Sequence, residues 1–229
     1  YQIAHDFRLG PEGVSVGGRL AYAETRPATR LSTSAAPLGA RTLLATLEAG
    51  HAPLRTQART LGLAGGLEVI NQTLRLGPAL LAQDRLRVLF VRADFALADA
   101  RAFGRAPGGE PAWRISGSLE ARKGVGAFGA SKGCGAGLVR CAAGVIAPSR
   151  PEGDPRAALV RIAATLEARV MPGVRLMLSP RAQYAARPLF AFEEFSAGTY
   201  TIGRGYDPGT LSGDSGAGVQ AEVRLGSLA

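Results

Sequence analysis

Lysine, cysteine, histidine and tryptophan are scarce in this sequence of 229 residues, and long apolar runs are absent from it. Lys123 and Lys132 are the lysines, so the net charge of +9 is carried almost wholly by arginine. These arginines are scattered rather than grouped into basic runs, which argues against nucleic acid as a partner. Because no stretch reaches about 18 apolar residues, no transmembrane helix is predicted.

The few potential metal ligands are poorly spaced for a metal site. His5 and His51 have no second ligand at a useful spacing, and Cys134 and Cys141 lack the further cysteines or histidines that a zinc site needs. We therefore expect neither a metal nor a cofactor. The two cysteines lie in a glycine-rich segment, where their spacing suits a hairpin disulfide in an oxidising compartment. Two free thiols are the alternative.

Helical periodicity is also scarce, and alternation with a period of two residues replaces it. After a weak opening segment, Tyr1–Phe7, eight runs each place apolar residues on one face and polar or small residues on the other. These runs are Val14–Ala23, Thr42–Gly50, Leu61–Val69, Leu89–Leu97, Trp113–Arg122, Ala158–Val170, Val174–Tyr184 and Ala217–Leu225.

The length and charge of these runs favour a membrane barrel. Several exceed the roughly 5–6 residues of an average soluble strand and match the about 9–11 of a tilted membrane-spanning strand. Charges of both signs lie in the middle of strands, and we predict that they line a wet lumen: Arg114, Glu120, Arg122, Arg161, Glu167, Arg169, Arg175 and Arg181. A soluble lipocalin-like barrel would place its apolar face inward instead. The sequence therefore predicts an all-β fold, a transmembrane antiparallel β-barrel that contacts lipid.

Aromatic residues and connection lengths agree with a barrel in the outer membrane. Tyr22, Trp113 and Tyr184 lie on the apolar face, where they suit interfacial girdle positions. Outer-membrane barrels combine tight periplasmic turns with long external loops. Short connections (Arg8–Gly13, His51–Gln57, Gly104–Glu110, Met171–Gly173) alternate here with long ones (Thr25–Arg41, Gln72–Arg85, Val125–Arg156, Arg187–Ser215).

One local motif suggests a different class of protein, a serine protease. Gly213-Asp214-Ser215-Gly216 resembles the nucleophile signature of trypsin-like proteases, and His51 and Asp94 precede it in triad order. Too few residues follow Ser215 for the rest of that fold, and two cysteines cannot supply its several disulfides. We therefore expect a protein that is not an enzyme.

Two further motifs have simpler structural explanations. The stretch from Gly124 to Gly129 fits the pattern GxGxxG, but no βαβ unit accompanies it, so it more simply marks the end of a strand. Glu193 and Glu194 are adjacent rather than spaced as an acid/base pair. We expect them to be solvated or to anchor a loop.

The longest patterned connection has Gly203-Arg204-Gly205-Tyr206 at its centre. Glycine permits positive φ and close backbone approach, so this tip can turn sharply and present Arg204 to a fixed partner. A glycine-rich surface loop without a special role is the alternative.

A series of positions between Val174 and Arg224 forms a recognisable pattern: Gln183, Pro188-Leu189, Glu194-Phe195, Gly198, Arg204-Gly205-Tyr206, Gly213-Asp214, Gly216 and Glu222-Val223-Arg224. This pattern resembles the outer-membrane transporters of two-partner secretion, the haemolysin activator and filamentous-haemagglutinin transporter group. Ala147-Pro148-Ser149-Arg150 with Gly153-Asp154 resembles an earlier loop of that family. The sequence departs from the family where Gly203 precedes the arginine and where Thr199 breaks a glycine pair.

The resemblance implies a barrel of sixteen strands preceded by two periplasmic polypeptide-transport-associated modules. Residues 1–229 would be a central section with about nine strands, lacking those modules and the last strands. The loop would fold into the lumen, where Arg204 would meet an acidic residue of the later strands and Tyr206 would pack. Asp214 would close the base of the loop.

The function that the resemblance implies is export of a haemolysin-like or adhesin-like exoprotein across the outer membrane in two-partner (type V) secretion. The partners would be that exoprotein and outer-membrane lipid, and neither ATP nor a cofactor would be needed. An outer-membrane protein insertase of the same superfamily is one alternative. A passive porin-like channel is another.

Overall fold

The computed structural model describes residues 1–26, 37–100, 111–135, 141, 146–198, 202–207 and 209–226. These residues form strands and one turn of 3₁₀ helix, Ala191–Glu193. The strands are β1 (Gln2–Leu9), β2 (Val14–Thr25), β3 (Leu38–Arg55), β4 (Arg59–Leu76), β5 (Ala79–Ala98), β6 (Trp113–Gly124), β7 (Ala158–Met171), β8 (Val174–Ala185), β9 (Phe195–Ala197), β10 (Leu211–Gly213) and β11 (Gly216–Leu225). In this part of the chain no helix is long and apolar enough to cross a membrane.

Nine of the strands form one antiparallel sheet in the order β1-β2-β3-β4-β5-β6-β7-β8-β11. Each strand pairs with its neighbour in the chain except at the last step, where β9 and β10 form a separate two-stranded sheet within the loop between β8 and β11. The predicted all-β architecture with about nine long antiparallel strands is confirmed.

The prediction of a second long connection, at Gln72–Arg85, is wrong. Strands β4 and β5 continue through this segment and are joined at Gly77 and Pro78, so the expected strict alternation of short and long connections fails here. The alternation of residue types weakens because another loop covers this hairpin: Asp84 accepts a hydrogen bond from the Ser149 amide at 2.8 Å. The predicted turn at Gly104–Glu110 lies outside the described residues.

The apolar face of the sheet is exposed, as expected for a surface that contacts lipid. Leu47, Val91 and Val160 are 61%, 62% and 44% exposed, although they belong to the middle of the sheet. The predicted girdle residues Trp113 and Tyr184 are exposed on the same face, at opposite ends of their strands. An apolar surface of this extent is unfavourable in water and requires an apolar environment.

The opposite face, called the polar face below, is partly buried. Its cross-strand register places Arg92, Glu120, Arg161 and Gln183 in one row across β5 to β8. Several of its charged and polar residues are buried, among them Arg122, Arg175 and Gln183. Arg122 and Gln183 are covered by the loop between β8 and β11, which bonds to both side chains.

Candidate functional site

The loop between β8 and β11, residues 186–215, folds back onto the polar face through an apolar contact. Phe190 is 1% exposed and packs with Ile70 of β4 and with Leu86 and Val88 of β5. Gly153 of the preceding loop makes room for it, because a Cβ at that position would overlap the Phe190 ring. Phe190 therefore attaches the start of the loop to a small core on the inner side of the sheet.

Glu193, in the 3₁₀ turn Ala191–Glu193 of the loop, accepts hydrogen bonds from two arginines of different strands. Arg122 of β6 donates from Nε and Nη2 to its two carboxylate oxygens at 3.1 and 2.8 Å, and Arg161 of β7 donates from Nη2 to Oε2 at 2.9 Å. The backbone carbonyl of Glu193 accepts further bonds from Arg161 and from Gln183 Nε2 of β8, at 3.0 and 2.9 Å. One loop residue is thus bonded to three consecutive strands, and we call this arrangement the Glu193 clamp.

Two carboxylates of neighbouring strands, Glu68 of β4 and Glu120 of β6, add to the Glu193 clamp. Arg122 also donates to Glu68 at 3.0 Å and to Glu120 at 3.2 Å. The side chains of Arg122 and Glu193 are only 5% and 6% exposed, so both charges are largely removed from solvent. Such burial is tolerated only where the ions are paired and well hydrogen-bonded, which the planar, bidentate guanidinium allows.

A second network closes the base of the loop. Arg150 Nη1 donates to Asp214 at 2.6 Å, to Glu194 at 2.7 Å and to the Leu189 carbonyl at 3.0 Å, while the Leu189 amide donates to Asp214 at 2.8 Å. Burial opposes ionisation of Asp214, but the bonds from Arg150 and Leu189 outweigh it and hold the pKa of Asp214 below its ordinary value. The beginning and end of the loop are joined here.

The tip of the loop carries the motif that the sequence singled out. Gly203 and Gly205 adopt positive φ angles of 75° and 95°, and the Tyr206 amide donates to the Gly203 carbonyl at 3.1 Å. Arg204 makes an ion pair of 2.6 Å with Glu222 of β11, with its own side chain 62% exposed. Glu222 is therefore an acidic partner of Arg204 within this chain, and the partner expected in later strands stays a prediction.

The eight charged residues predicted to line the lumen all lie on the polar face, but they have different surroundings. Arg122, Arg161 and Glu120 belong to the Glu193 clamp. Arg175 pairs instead with Glu167 at 3.2 Å, nearer the short turn between β7 and β8. The structure does not bring the rest into the loop's network: Arg114, Arg169 and Arg181.

Several residues of the site were not assigned this role from the sequence. No local sequence pattern indicated a role for Glu68 or Phe190, because their contact partners are distant in the chain. Gln183, Leu189 and Arg150 appeared in the family pattern, but their contacts did not. For Glu193, loop anchoring was one of two expected roles, and the structure has it in that role.

The structure separates the residues of the protease-like motif. His51 lies on the apolar face and Asp94 on the polar face, where it pairs with Arg92 at 2.8 Å. Ser215 Oγ accepts a hydrogen bond from the Ala185 amide at 2.9 Å. Strand β6 ends at Gly124, as predicted for the GxGxxG stretch, and Cys134 and Cys141 are joined in a disulfide.

An exposed apolar sheet face, a charged opposite face and a long loop attached to that charged face are the features of a section of a transmembrane β-barrel. The family model for the haemolysin secretion/activation protein ShlB/FhaC/HecB matches residues 46–228. The chain therefore belongs to this family of two-partner secretion transporters, which are outer-membrane β-barrel proteins.

Solved structures agree with this fold assignment. CdiB from Escherichia coli is 17% identical with a TM-score of 0.68, and the match covers 97% of this chain and 38% of that one. CdiB from Acinetobacter baumannii is also 17% identical, with a TM-score of 0.67, covering 100% of this chain and 37% of that one. The chain thus spans less than two fifths of each of these two solved structures. No curated protein sequence matches it significantly.

Proposed function

We propose that the complete protein translocates an unfolded exoprotein, a haemolysin or an adhesin, across the outer membrane. Residues 1–229 supply a central section of its barrel, and the loop between β8 and β11 lies in the lumen. The observation that carries this proposal is the Glu193 clamp, because it attaches the loop to the charged face of the sheet and not to the lipid-facing side.

The charges of the polar face suit transient contact with an extended polypeptide. They have both signs, and those away from the loop remain partly exposed, such as Arg92 at 30% and Asp94 at 52% of their side chains. A wall of this kind keeps the pore hydrated without binding one sequence tightly. No step of this proposed transport requires ATP, a cofactor or a covalent intermediate, so the proposal includes no enzymatic activity.

Arg204 holds the tip of the loop in this proposal, and its substitution by alanine tests the role. The Arg204 side chain of its ion pair with Glu222 is 62% exposed, so the pair contributes about 1 kcal/mol, which corresponds to a roughly fivefold change in an equilibrium. Export of the exoprotein by Arg204→Ala in the complete transporter should fall by about that factor. The exoprotein in the medium would be quantified by immunoblot.

Assembly of Arg204→Ala should remain normal, judged by heat-modifiable migration of the barrel in gels. Arg26→Ala is the matched control, because Arg26 is an exposed arginine paired with Glu24 away from the loop. Unchanged export by Arg204→Ala would refute the role of the tip. An assembled wild-type protein that exports no exoprotein, but inserts other barrels, would identify an insertase instead.

A further inference from the structure

Among the described residues of the loop between β8 and β11, the attachments of its root and of its tip to the sheet differ in burial. At its root, residues 188–198, Phe190 is buried and Glu193 is bonded to Arg122 and Arg161. At its tip, residues 202–207, Ile202 lies over Gly218 of β11. Arg204 pairs there with Glu222, and the side chains of this pair are 62% and 20% exposed.

We propose that Glu193 is a positioning residue that keeps the root of the loop on the polar face throughout export, so that only the tip shifts. This inference rests on the proposed function and adds to it a division of the loop into a fixed part and a movable part. The root and not the Arg204 motif then decides whether the loop as a whole stays inside the barrel.

The electrostatics of the site support this assignment. Exposed ion pairs contribute little, because solvent and salt screen them, whereas a buried pair is costly to break since it leaves an unpaired charge. The Glu193 carboxylate is 6% exposed and the Arg204 guanidinium 62%. The Glu193 clamp is therefore the attachment that opens more rarely.

The geometry of the Glu193 clamp also limits rotation of the root. Its carboxylate and its backbone carbonyl are bonded at once, with donors from three neighbouring strands. The Phe190 contact lies on the β4–β5 side of these bonds, so the root is fixed at separate points across the sheet. A loop that left the polar face as one unit would not need both the Glu193 clamp and the Phe190 contact.

Site-specific labelling of the loop in intact cells tests the assignment. In the complete transporter with Cys134 and Cys141 replaced by serine, a single cysteine would be introduced either at the root, Phe192→Cys, or at the tip, Tyr206→Cys. Both native side chains are partly exposed, at 38% and 68%. A membrane-impermeant maleimide would be added from outside, with no exoprotein present.

The two loop attachments should give different labelling patterns. Glu193→Gln keeps the size of the side chain and removes its charge, so it should raise the labelling rate on the order of tenfold at both reporters. Arg204→Ala should raise labelling at the tip reporter alone. Glu24→Gln, which also removes a carboxylate paired with arginines but lies far from the loop, should change neither reporter.

Heat-modifiable migration would be recorded in parallel, because a purely structural role of Glu193 would change assembly rather than loop exposure alone. If the Glu193→Gln variant does not assemble, the Arg161→Gln variant is used instead. It removes one of the two arginines that bond to Glu193 and should raise the labelling rate of the root reporter by a smaller factor. Unchanged root labelling in an assembled variant overturns the proposal, as does equal exposure of the root by Arg204→Ala. The assay contains no exoprotein, so its outcome is independent of whether the protein exports one.

Discussion

At the scale of single residues, the site combines one aromatic anchor with one buried carboxylate. Phe190 removes an apolar ring from water, and Glu193 adds a carboxylate to Arg161 and to Arg122, which also pairs with Glu68 and Glu120. Neither interaction would be stable alone in a wet lumen: the ring would be exposed without Gly153 beneath it, and the arginines would be hydrated without the loop.

Truncation of Phe190 should loosen the loop at a large energetic cost. Phe190→Ala leaves a cavity between Ile70, Leu86 and Val88 and should lower the free energy of unfolding by about 3–5 kcal/mol. Denaturant unfolding of the complete protein in lipid vesicles would measure this. Phe128→Ala is the matched control, because Phe128 is 76% exposed, and its effect should stay within about 0.5 kcal/mol. Equal effects of the two substitutions would contradict the anchor role of Phe190.

Acidification should open the base of the loop only at low pH. The pKa of Asp214 in the folded protein lies below its ordinary value of 3.8, so its bonds to Arg150 and Leu189 stabilise the loop fully above that value. This contribution is lost as the pH falls through the lower, folded-state pKa. Hydrogen exchange at the Leu189 amide should therefore be slow at pH 5 and accelerate below about pH 4 relative to the intrinsic rate.

Two substitutions accompany the pH experiment. Asp214→Asn should accelerate exchange of the Leu189 amide already at pH 5, whereas Glu12→Gln, in the exposed turn between β1 and β2, should not. Loss of protection beginning near pH 6 would show that another group controls the base of the loop.

At the scale of strands, consecutive residues lie on opposite faces of the sheet, one on the apolar face and the next on the polar face. Leu119 and Ser118 are neighbours in β6, yet Leu119 shares a face with Ala93 and Ile162, while Ser118 shares one with Asp94 and Ala163. Each position therefore has an environment set by its parity along the strand.

Arginine scanning of β6 tests this assignment of the two faces. Leu119→Arg should destabilise the barrel by about 2–4 kcal/mol near the bilayer midplane, although Leu119 is already 48% exposed. Ser118→Arg should cost less than about 1 kcal/mol, because Asp94 and water are available to it. Both would be measured by urea unfolding in vesicles. A larger cost for Ser118→Arg would reverse the orientation of the sheet.

Local alternation was sufficient to predict the strands where one face meets lipid. Strands β6 and β8 begin where the pattern begins and end within two residues of it, at Gly124 and Ala185. The outer part of the β4–β5 hairpin could not be recognised in this way. Its Gln72, Thr73 and Asp84 are polar on both faces, and Asp84 is covered by a loop from elsewhere in the chain.

At the scale of the whole molecule, the sheet has the inverse of a soluble protein's organisation. One face exposes large apolar side chains such as Leu47 and Val91, and the other carries buried charges such as Arg122 beneath a loop. The sequence predicted this inversion, because charges of both signs occupy the middle of long strands, and it predicted that the tip of the loop turns at glycines. It did not predict the Glu193 clamp, since Arg122 and Glu193 are 71 positions apart and no periodicity relates them.

The central claim is that an exoprotein passes along the polar face of this sheet, and site-specific crosslinking to a stalled exoprotein tests it most directly. A photoreactive amino acid would be placed in the complete transporter at Thr46, on the polar face of β3, or at its neighbour Leu47, which is 61% exposed on the apolar face. We expect crosslinks to the exoprotein from position 46 and to lipid alone from position 47. Exoprotein crosslinks that are absent from position 46, or equal from both positions, would contradict export through this lumen.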